Sequence, residues 1–252
     1  MKFLRIQCSG WLNSFRQPDF HTYHKTLPLP SKTTIAGMIG SALGLPPEIV
    51  NNEWLANDRF KMGIVGNNNG KANDLWQIRK YEEKQIKAYE KGTEATPYKT
   101  AVIVRELLYE SKFTLYLTFI DDEDFDLVMK GVQNPAWALS LGREDELIKL
   151  KSIGTIELEE KENLTYSNTV IPSDLSLIDY DINMDNLENY SNLLSEAPKV
   201  IKLPTSFTYN PDTGSREANA SQTFSFVFNI PVKLKENRGY FDEELHCSFQ
   251  IF

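Results

Sequence analysis

Apolar and polar side chains alternate at the start of the chain and then change to a helical spacing. The segment Phe3–Cys8 has apolar residues mostly at every second position, which predicts a half-buried β-strand. From Ile35 onward the apolar residues recur three and four positions apart, so an amphipathic helix is predicted over residues 31–44. The segment Leu27-Pro28-Leu29-Pro30 cannot be helical, because each proline fixes φ and restricts its predecessor.

The predicted start of this helix has an uncompensated positive end. Ser31 supplies an N-cap hydroxyl, and Thr34 stands where a capping box would have an acid. The helix dipole therefore keeps its partial positive charge, with Lys32 and Thr33 beside it. A helix end of this kind suits a phosphate, which makes Lys32, Thr33 and Thr34 candidate phosphate-binding residues.

Glycines form a second stripe on the same helix. Gly37 and Gly40 each cost roughly 1 kcal/mol of helix stability relative to alanine, so their presence calls for a reason. Two explanations stay open: tight packing of the helix against a sheet, and close approach of a ligand backbone. The second explanation makes Gly37 a candidate contact residue.

The following elements predict an α+β fold. Strands are expected over residues 60–65, 101–109 and 112–119, with a tight turn at Glu110-Ser111 and a helix starting at Asp121. The resulting order strand–helix–strand–strand–helix–strand is the ferredoxin-like or RRM arrangement. Further strands, which make the rest of the chain β-rich, are predicted over residues 154–158, 200–209, 223–232 and 246–251.

The polar segment 71–100 leaves two secondary structures open. One set of its side chains alternates as in a strand, and another has helical spacing: Trp76, Ile78 and Lys80 in the first, Ile78, Tyr81, Gln85 and Tyr89 in the second. The segment has too little apolar surface for its own core, so we expect it to project. We predict an N-terminal domain over residues 1–155 with an insertion at about 67–100, and a β-rich region over residues 156–252.

Composition places the chain among ordinary globular proteins. Of its 252 residues 41% are hydrophobic and 25% are charged. Cys8 and Cys247 do not make a disulfide framework, so a reducing cytoplasm is expected and buried free thiols are favoured over a pair. Neither an N-terminal apolar segment nor a long apolar stretch is present, which argues against secretion and membrane spanning.

Charge is distributed unevenly along the chain. The net charge is −8, which taken alone argues against a nucleic-acid partner. Residues 1–40 nevertheless carry five basic residues against Asp19, whereas residues 121–190 carry 17 acids and 5 bases. An anionic polymer would therefore be attracted to the first segment and repelled by the second.

The segment from Ser14 to Lys25 is extended, aromatic and basic. The guanidinium of Arg16, beside an aromatic ring, can pair with a phosphate and stack on a base, although a structural salt bridge is the alternative. For Phe15 a core position and base stacking both stay open. Candidate RNA contacts in this segment are Ser14, Phe15, Arg16, His21, Tyr23, His24 and Lys25. The two histidines lie without cysteine or paired acids nearby, so neither a metal site nor a cofactor is predicted.

An NTPase is a poor interpretation of the helix start. Ser31-Lys32-Thr33-Thr34 is similar to the end of a P-loop, but glycine is missing at Ser31 and at Thr26, five residues earlier. Without those glycines the backbone cannot wrap a phosphate chain.

Two blocks of sequence together resemble a known family. The first is W-x-x-SFR-x-P, TLPLPSKTT and AG-x-x-G-x-x-x-G, and the second is Asn134-Pro135-Ala136-Trp137-Ala138-Leu139-Ser140-Leu141-Gly142-Arg143-Glu144. In this order they resemble the fifth family of CRISPR-associated proteins, of the RAMP superfamily, which are subunits of type I Cascade surveillance complexes. Arg143, after Leu141-Gly142, is a candidate second phosphate contact; a surface ion pair is the alternative.

The resemblance implies a function and partners. It implies a non-catalytic subunit that caps the 5′ handle of the crRNA, with segment 67–100 as a thumb-like hairpin reaching a backbone subunit. It also implies contact with the large subunit of Cascade, with target DNA through the complex, and with no membrane.

A metal-independent ribonuclease that processes precursor crRNA is the alternative. Tyr23, His24 and Lys25 are the residue types that acid–base cleavage of RNA requires. One family branch resembles this arrangement, but with adjacent lysine and histidine on the strand after the thumb. Here residues 105–119 contain Lys112 and no histidine, so processing by this chain is not favoured.

Overall fold

A nine-stranded sheet organises the computed structural model, which describes residues 1–20, 23–182, 196–235 and 238–252. The strands are β1 (Lys2–Asn13), β2 (Tyr23–His24), β3 (Phe60–Asn67), β4 (Lys71–Lys80), β5 (Lys99–Phe119), β6 (Ile148–Glu157), β7 (Glu160–Glu162), β8 (Thr165–Tyr166), β9 (Thr169–Ile171), β10 (Tyr180–Ile182), β11 (Glu196–Tyr209), β12 (Arg216–Phe228), β13 (Val232–Leu234), β14 (Arg238–Asp242) and β15 (Cys247–Phe249). The helices are α1 (Lys32–Leu43), α2 (Pro47–Ile49), a π-helix (Val50–Leu55), α3 (Glu83–Glu90), α4 (Asp122–Gln133) and a 3₁₀ turn (Leu175–Leu177).

Four of these strands lie in the order β3-β5-β1-β6, and every neighbouring pair is antiparallel. The chain passes from β1 to β3 through α1 and from β5 to β6 through α4. The apolar stripes of both helices pack on one face of the sheet, where Ile6, Ile35, Leu115 and Val128 are buried in one cluster. The predicted helix over residues 31–44 is confirmed, with Ser31 as its N-cap and Gly44 ending it in the left-handed conformation (φ 69°).

The predicted turn at Glu110-Ser111 is wrong. Residues 99–119 form one strand of 21 residues, and Glu110 is only a local irregularity with φ 49°. The strand continues because both of its halves are paired on the same side: residues 112–119 with β3 and residues 99–108 with β4.

The segment 71–100 contains both secondary structures that its sequence left open. Strand β4 pairs with the first half of β5, from Lys71 opposite Leu108 to Lys80 opposite Lys99, and α3 follows at the tip of this hairpin. The tip is held by its own residues, since Gln85 donates to the carbonyl of Thr96 and the rings of Tyr81 and Tyr98 meet edge-on.

The C-terminal strands extend the same sheet and also cover part of its second face. A pair between Thr169 and Val65 joins β9 to β3, and β12 and β11 follow beyond it. Strands β14 and β15 lie across the other face of the sheet, where the rings of Tyr240 and Phe249 pack against Phe3. On β12 three aromatic side chains are buried and belong to the core: Phe224, Phe226 and Phe228.

Both cysteines are free thiols, and burial raises the pKa of Cys8 to about 12. In the described part of the chain, the helices are all too short or too polar to span a bilayer.

Candidate nucleic-acid interface

Two adjoining hollows open at the start of α1. The first, of about 390 Å³, lies between the helix start, at Thr33 and Thr34, and the β11–β12 hairpin, which contributes Phe207 and Arg216. The second, of about 170 Å³, is lined by Ser14, His24, Lys25, Arg105, Gly142 and Arg143. Because Phe15, Arg16 and Thr34 line both hollows, we treat them as one site and call it the cationic cleft.

Five cationic side chains converge on this cleft: Arg16, Lys25, Arg105, Arg143 and Arg216. Two of them have acidic neighbours, since Arg105 lies 2.9 Å from Asp74 and Arg143 lies 3.7 Å from Asp145. The other three have no ion pair among the described residues, so the cleft carries an excess of positive charge in a protein of net charge −8.

Two guanidinium groups keep a donor without an acceptor. The Nε atoms of Arg105 and Arg143 are buried and have no hydrogen-bond partner within the described ranges. Both guanidiniums lie over the ring of Trp76, at 5.6 and 4.3 Å from its centroid, which fixes where they point. A buried donor without an acceptor costs free energy.

The segment carrying Arg16 folds back on itself as a narrow strap. The backbone N–H of Leu27 donates to the carbonyl of Phe15 at 2.7 Å, and that of Gln17 donates to the carbonyl of Lys25 at 2.9 Å. The Thr26 hydroxyl accepts from the N–H of Phe15 at 2.8 Å. These bonds bring Arg16 and Lys25 to one wall of the cleft, next to the start of α1.

Glu146 joins the loop that carries Ser14 to the loop that carries Arg143. Its carboxylate accepts from the N–H and the hydroxyl of Ser14, at 2.7 and 2.5 Å, and from the N–H of Arg143 at 3.0 Å. Burial raises the pKa of Glu146, and the hydrogen bonds from Ser14 and Arg143 offset only part of that rise. Gly142 lies between these groups at φ 112°, where a Cβ atom would collide with the Glu146 carboxylate and the Ser14 carbonyl.

The helix start is exposed to the cleft as its sequence predicted. The first turn of α1 has no acidic residue, and the Ser31 hydroxyl accepts from the N–H of Thr34 at 3.4 Å. The hydroxyls of Thr33 and Thr34 each lie about one hydrogen bond from that of Ser31, at 2.9 and 3.1 Å. Three hydroxyl groups therefore surround the positive end of the helix dipole.

Two candidate side chains are almost fully buried. Lys32 is only 6% exposed and pairs with Asp58 over the ring of Phe60, so its predicted role as a phosphate donor is wrong. Phe15 is 3% exposed and packs edge-on against Phe113, so the core interpretation holds and base stacking by Phe15 is wrong. Lysine and phenylalanine are residue types that often contact RNA. Here, however, each side chain is engaged by a residue distant in sequence, Asp58 for Lys32 and Phe113 for Phe15.

The remaining candidates are placed as follows. Tyr23 lies next to the cleft on β2, and its hydroxyl donates to Asn73 at 3.1 Å. Gly37 is exposed, with open space where a Cβ would be, whereas Gly40 packs against Val50. His21 lies outside the described residues. The described residues contain no cluster of three or more His, Cys, Asp or Glu side chains suited to a metal.

Four residues in or next to the cleft were not predicted from the sequence. Arg105 and Arg216 line the cleft, and Trp76 and Glu146 contact Arg143. Arg105 had a local signal, since it is one of few charges in an apolar strand. The others became visible only when the sheet brought distant segments together.

Fold and cleft define an α+β protein, built mostly of sheet, with a cationic cleft at a helix N-terminus. The profile of the CRISPR-associated protein (Cas_Cas5) family matches residues 3–192. The chain therefore belongs to this family, and the resemblance read from its two sequence blocks is confirmed.

Solved structures of CRISPR proteins have a similar fold. A chain of a CRISPR RNA-guided surveillance complex is 17% identical with a TM-score of 0.54, over 93% of this chain and 91% of the other. A CRISPR protein from Archaeoglobus fulgidus is 10% identical with a TM-score of 0.51, over 99% of each chain. No curated protein matches the sequence.

Proposed function

We propose that this protein binds the 5′ handle of a crRNA in the cationic cleft, as a non-catalytic subunit of a type I Cascade surveillance complex. The convergence of five cationic side chains on a helix start without acidic residues carries the proposal. Membership of the Cas5 family and the fold shared with a chain of an RNA-guided surveillance complex support it.

The chemistry of the cleft suits the backbone of a short single strand. Arg16, Arg105 and Arg143 would each donate to phosphate oxygens, and the hydroxyls of Thr33 and Thr34 would add bonds at the helix start. None of these contacts reads the edge of a base. Binding of the RNA would therefore depend on charge, and its affinity would fall as the salt concentration rises.

The partners follow from the family. We propose that the projecting hairpin of β4, α3 and β5 contacts a backbone subunit, that another face contacts the large subunit, and that target DNA is met through the complex. The antiparallel order β3-β5-β1-β6, with α1 and α4 on one face, supports a ferredoxin-like, RRM-like N-terminal part.

Absence of catalysis is part of the proposal. Lys112, in the second half of β5, lies opposite Ser9 on β1 and does not line the cleft. Lys32, the P-loop-like lysine, is buried against Asp58. His24 and Lys25 do line the cleft, so cleavage has to be tested directly.

Handle binding is tested by fluorescence anisotropy with a labelled RNA of the handle sequence. We expect Arg16→Ala with Arg143→Ala to weaken binding at least tenfold and to make the slope of log K against log salt shallower by about 0.7 for each lost contact. The matched control is Lys130→Ala, an exposed cation on α4 outside the cleft. Unchanged affinity and slope in the double variant would refute the site.

The same RNA tests for catalysis. Precursor crRNA incubated with the protein and a chelator is expected to stay intact. Clean cleavage that disappears in His24→Ala would instead establish the ribonuclease alternative.

A further inference from the structure

A second groove lies on the face of the sheet that α1 and α4 do not cover. Along β1 the side chains of Ile6 and Cys8 point into the helix-covered core, so Ser9 and Trp11 belong to the opposite face. The groove has a volume of about 480 Å³ and runs across β5, β1 and β6. It shares no lining residue with the cationic cleft.

The C-terminal strands cover only one end of this face. At that end Phe3 packs against Tyr240 and Phe249, and Arg5 pairs with Asp242 at 3.0 Å. From Ser9 to Trp11 the face is open, and Trp11 is 72% exposed. Exposing an indole to water costs free energy. A partner that covers the Trp11 ring would remove this cost, which would stabilise the complex.

Positive charge surrounds the exposed indole. Ser9 lies opposite Lys112 on one side and opposite Lys149 on the other, so both lysines share its face, and Lys151 lines the same groove. All three lysines are exposed, and none has an ion pair among the described residues. Three unpaired cations in one groove of an acidic protein select an anionic occupant.

The lining of the groove has one acidic side chain, and that side chain is already engaged. Glu110 accepts from the amide of Asn69 at 2.6 Å. The cations of the groove are therefore left for an occupant.

We propose that this groove, the Trp11 groove, binds single-stranded nucleic acid. A base would stack on the Trp11 ring while Lys112, Lys149 and Lys151 contact the flanking phosphates, the combination by which proteins hold single strands without reading sequence. Charge complementarity favours this occupant over a protein segment, because a protein partner would need an acidic face to match three lysines. The inference does not rest on the function proposed for the cleft, since the two sites share no residue.

The experiment measures the groove in isolation from the cleft. Short fluorescent oligo(U) RNA and oligo(dT) DNA, which lack a handle, are titrated into full-length protein carrying Arg16→Ala and Arg143→Ala. In this background Trp11→Ala should weaken binding roughly tenfold, the usual effect of losing one stacked base. Lys112→Ala with Lys149→Ala should make the salt slope shallower by about 1.4. The two oligonucleotides show whether RNA or DNA is preferred.

The controls use equally exposed residues elsewhere. Trp137→Ala and Lys130→Ala, an exposed tryptophan and an exposed lysine that do not line the groove, should leave binding unchanged. Because Trp11 is so exposed, its replacement should not lower the melting temperature. Equal binding by the Trp11 and lysine variants and their parent would overturn the proposal. So would a concentration-dependent self-association that Trp11→Ala abolishes, since the groove would then be a protein interface.

Discussion

Glu146 shows how an acidic residue can support a cationic site. It is buried behind the cleft wall, and its carboxylate holds Ser14 and Arg143 together through three hydrogen bonds. Its charge repels a phosphate, whereas its hydrogen bonds place the arginine that would attract one. Its value to the site therefore lies in the bonds and not in the charge.

Two substitutions separate these contributions. Glu146→Ala leaves the N–H groups of Ser14 and Arg143 without their acceptor, so we expect a loss of about 1–3 kcal/mol in unfolding free energy and weaker handle binding. Glu146→Gln keeps an acceptor oxygen and removes the charge, so it should bind at least as tightly as the wild type. Urea unfolding and RNA anisotropy measure both. Equal damage by the two variants would contradict the argument.

The wild type and Glu146→Gln should also differ in how their stability depends on pH. Because the pKa of Glu146 is raised in the folded protein, its contribution to stability is present below the unfolded pKa and is lost as pH rises through the folded value. Glu146→Gln lacks this titration. Its stability relative to the wild type should therefore increase as the pH is raised toward neutrality.

Elements that depend on local spacing could be predicted, and contacts between elements could not. The period of α1 and its N-cap at Ser31 are local features, and the structure confirms them. The pairing of Lys32 with Asp58, and the convergence of Arg105 with Arg143, depend on how the sheet is ordered. The unbroken course of β5 at Glu110 likewise depends on the pairing of both its halves with strands β3 and β4.

The glycines of α1 have different surroundings, which gives a matched pair at the scale of the element. Gly37→Ala should raise the unfolding free energy by up to roughly 1 kcal/mol, because a methyl group there meets open space and alanine favours the helix. Gly40→Ala should lower it by about 1 kcal/mol, since its Cβ would collide with Val50 and overpacking outweighs the gain in propensity. Thermal unfolding measures both. A stabilised Gly40→Ala variant would show that α1 can shift away from the π-helix.

At the scale of the molecule, one sheet carries three separable surfaces. The cationic cleft lies at the helix start, the Trp11 groove on the opposite face, and the hairpin of β4 and β5 projects with α3 at its tip. The base of that hairpin belongs to the cleft, since Trp76 packs against Arg143 there. The tip beyond Lys80 does not line the cleft, which allows binding of RNA and assembly to be tested separately.

Replacing residues 81–98 by Asn-Gly removes the tip and closes the hairpin, because Lys80 and Lys99 are cross-strand neighbours that a two-residue turn can join. The melting temperature and the affinity for handle RNA should stay close to those of the wild type, since the tip is held by its own contacts such as that of Gln85 with Thr96. Copurification with the backbone subunit should be lost, because the tip is the part proposed to reach it. A tipless chain that still copurifies would contradict the assigned contact, and one that loses RNA binding would show that the tip also shapes the cleft.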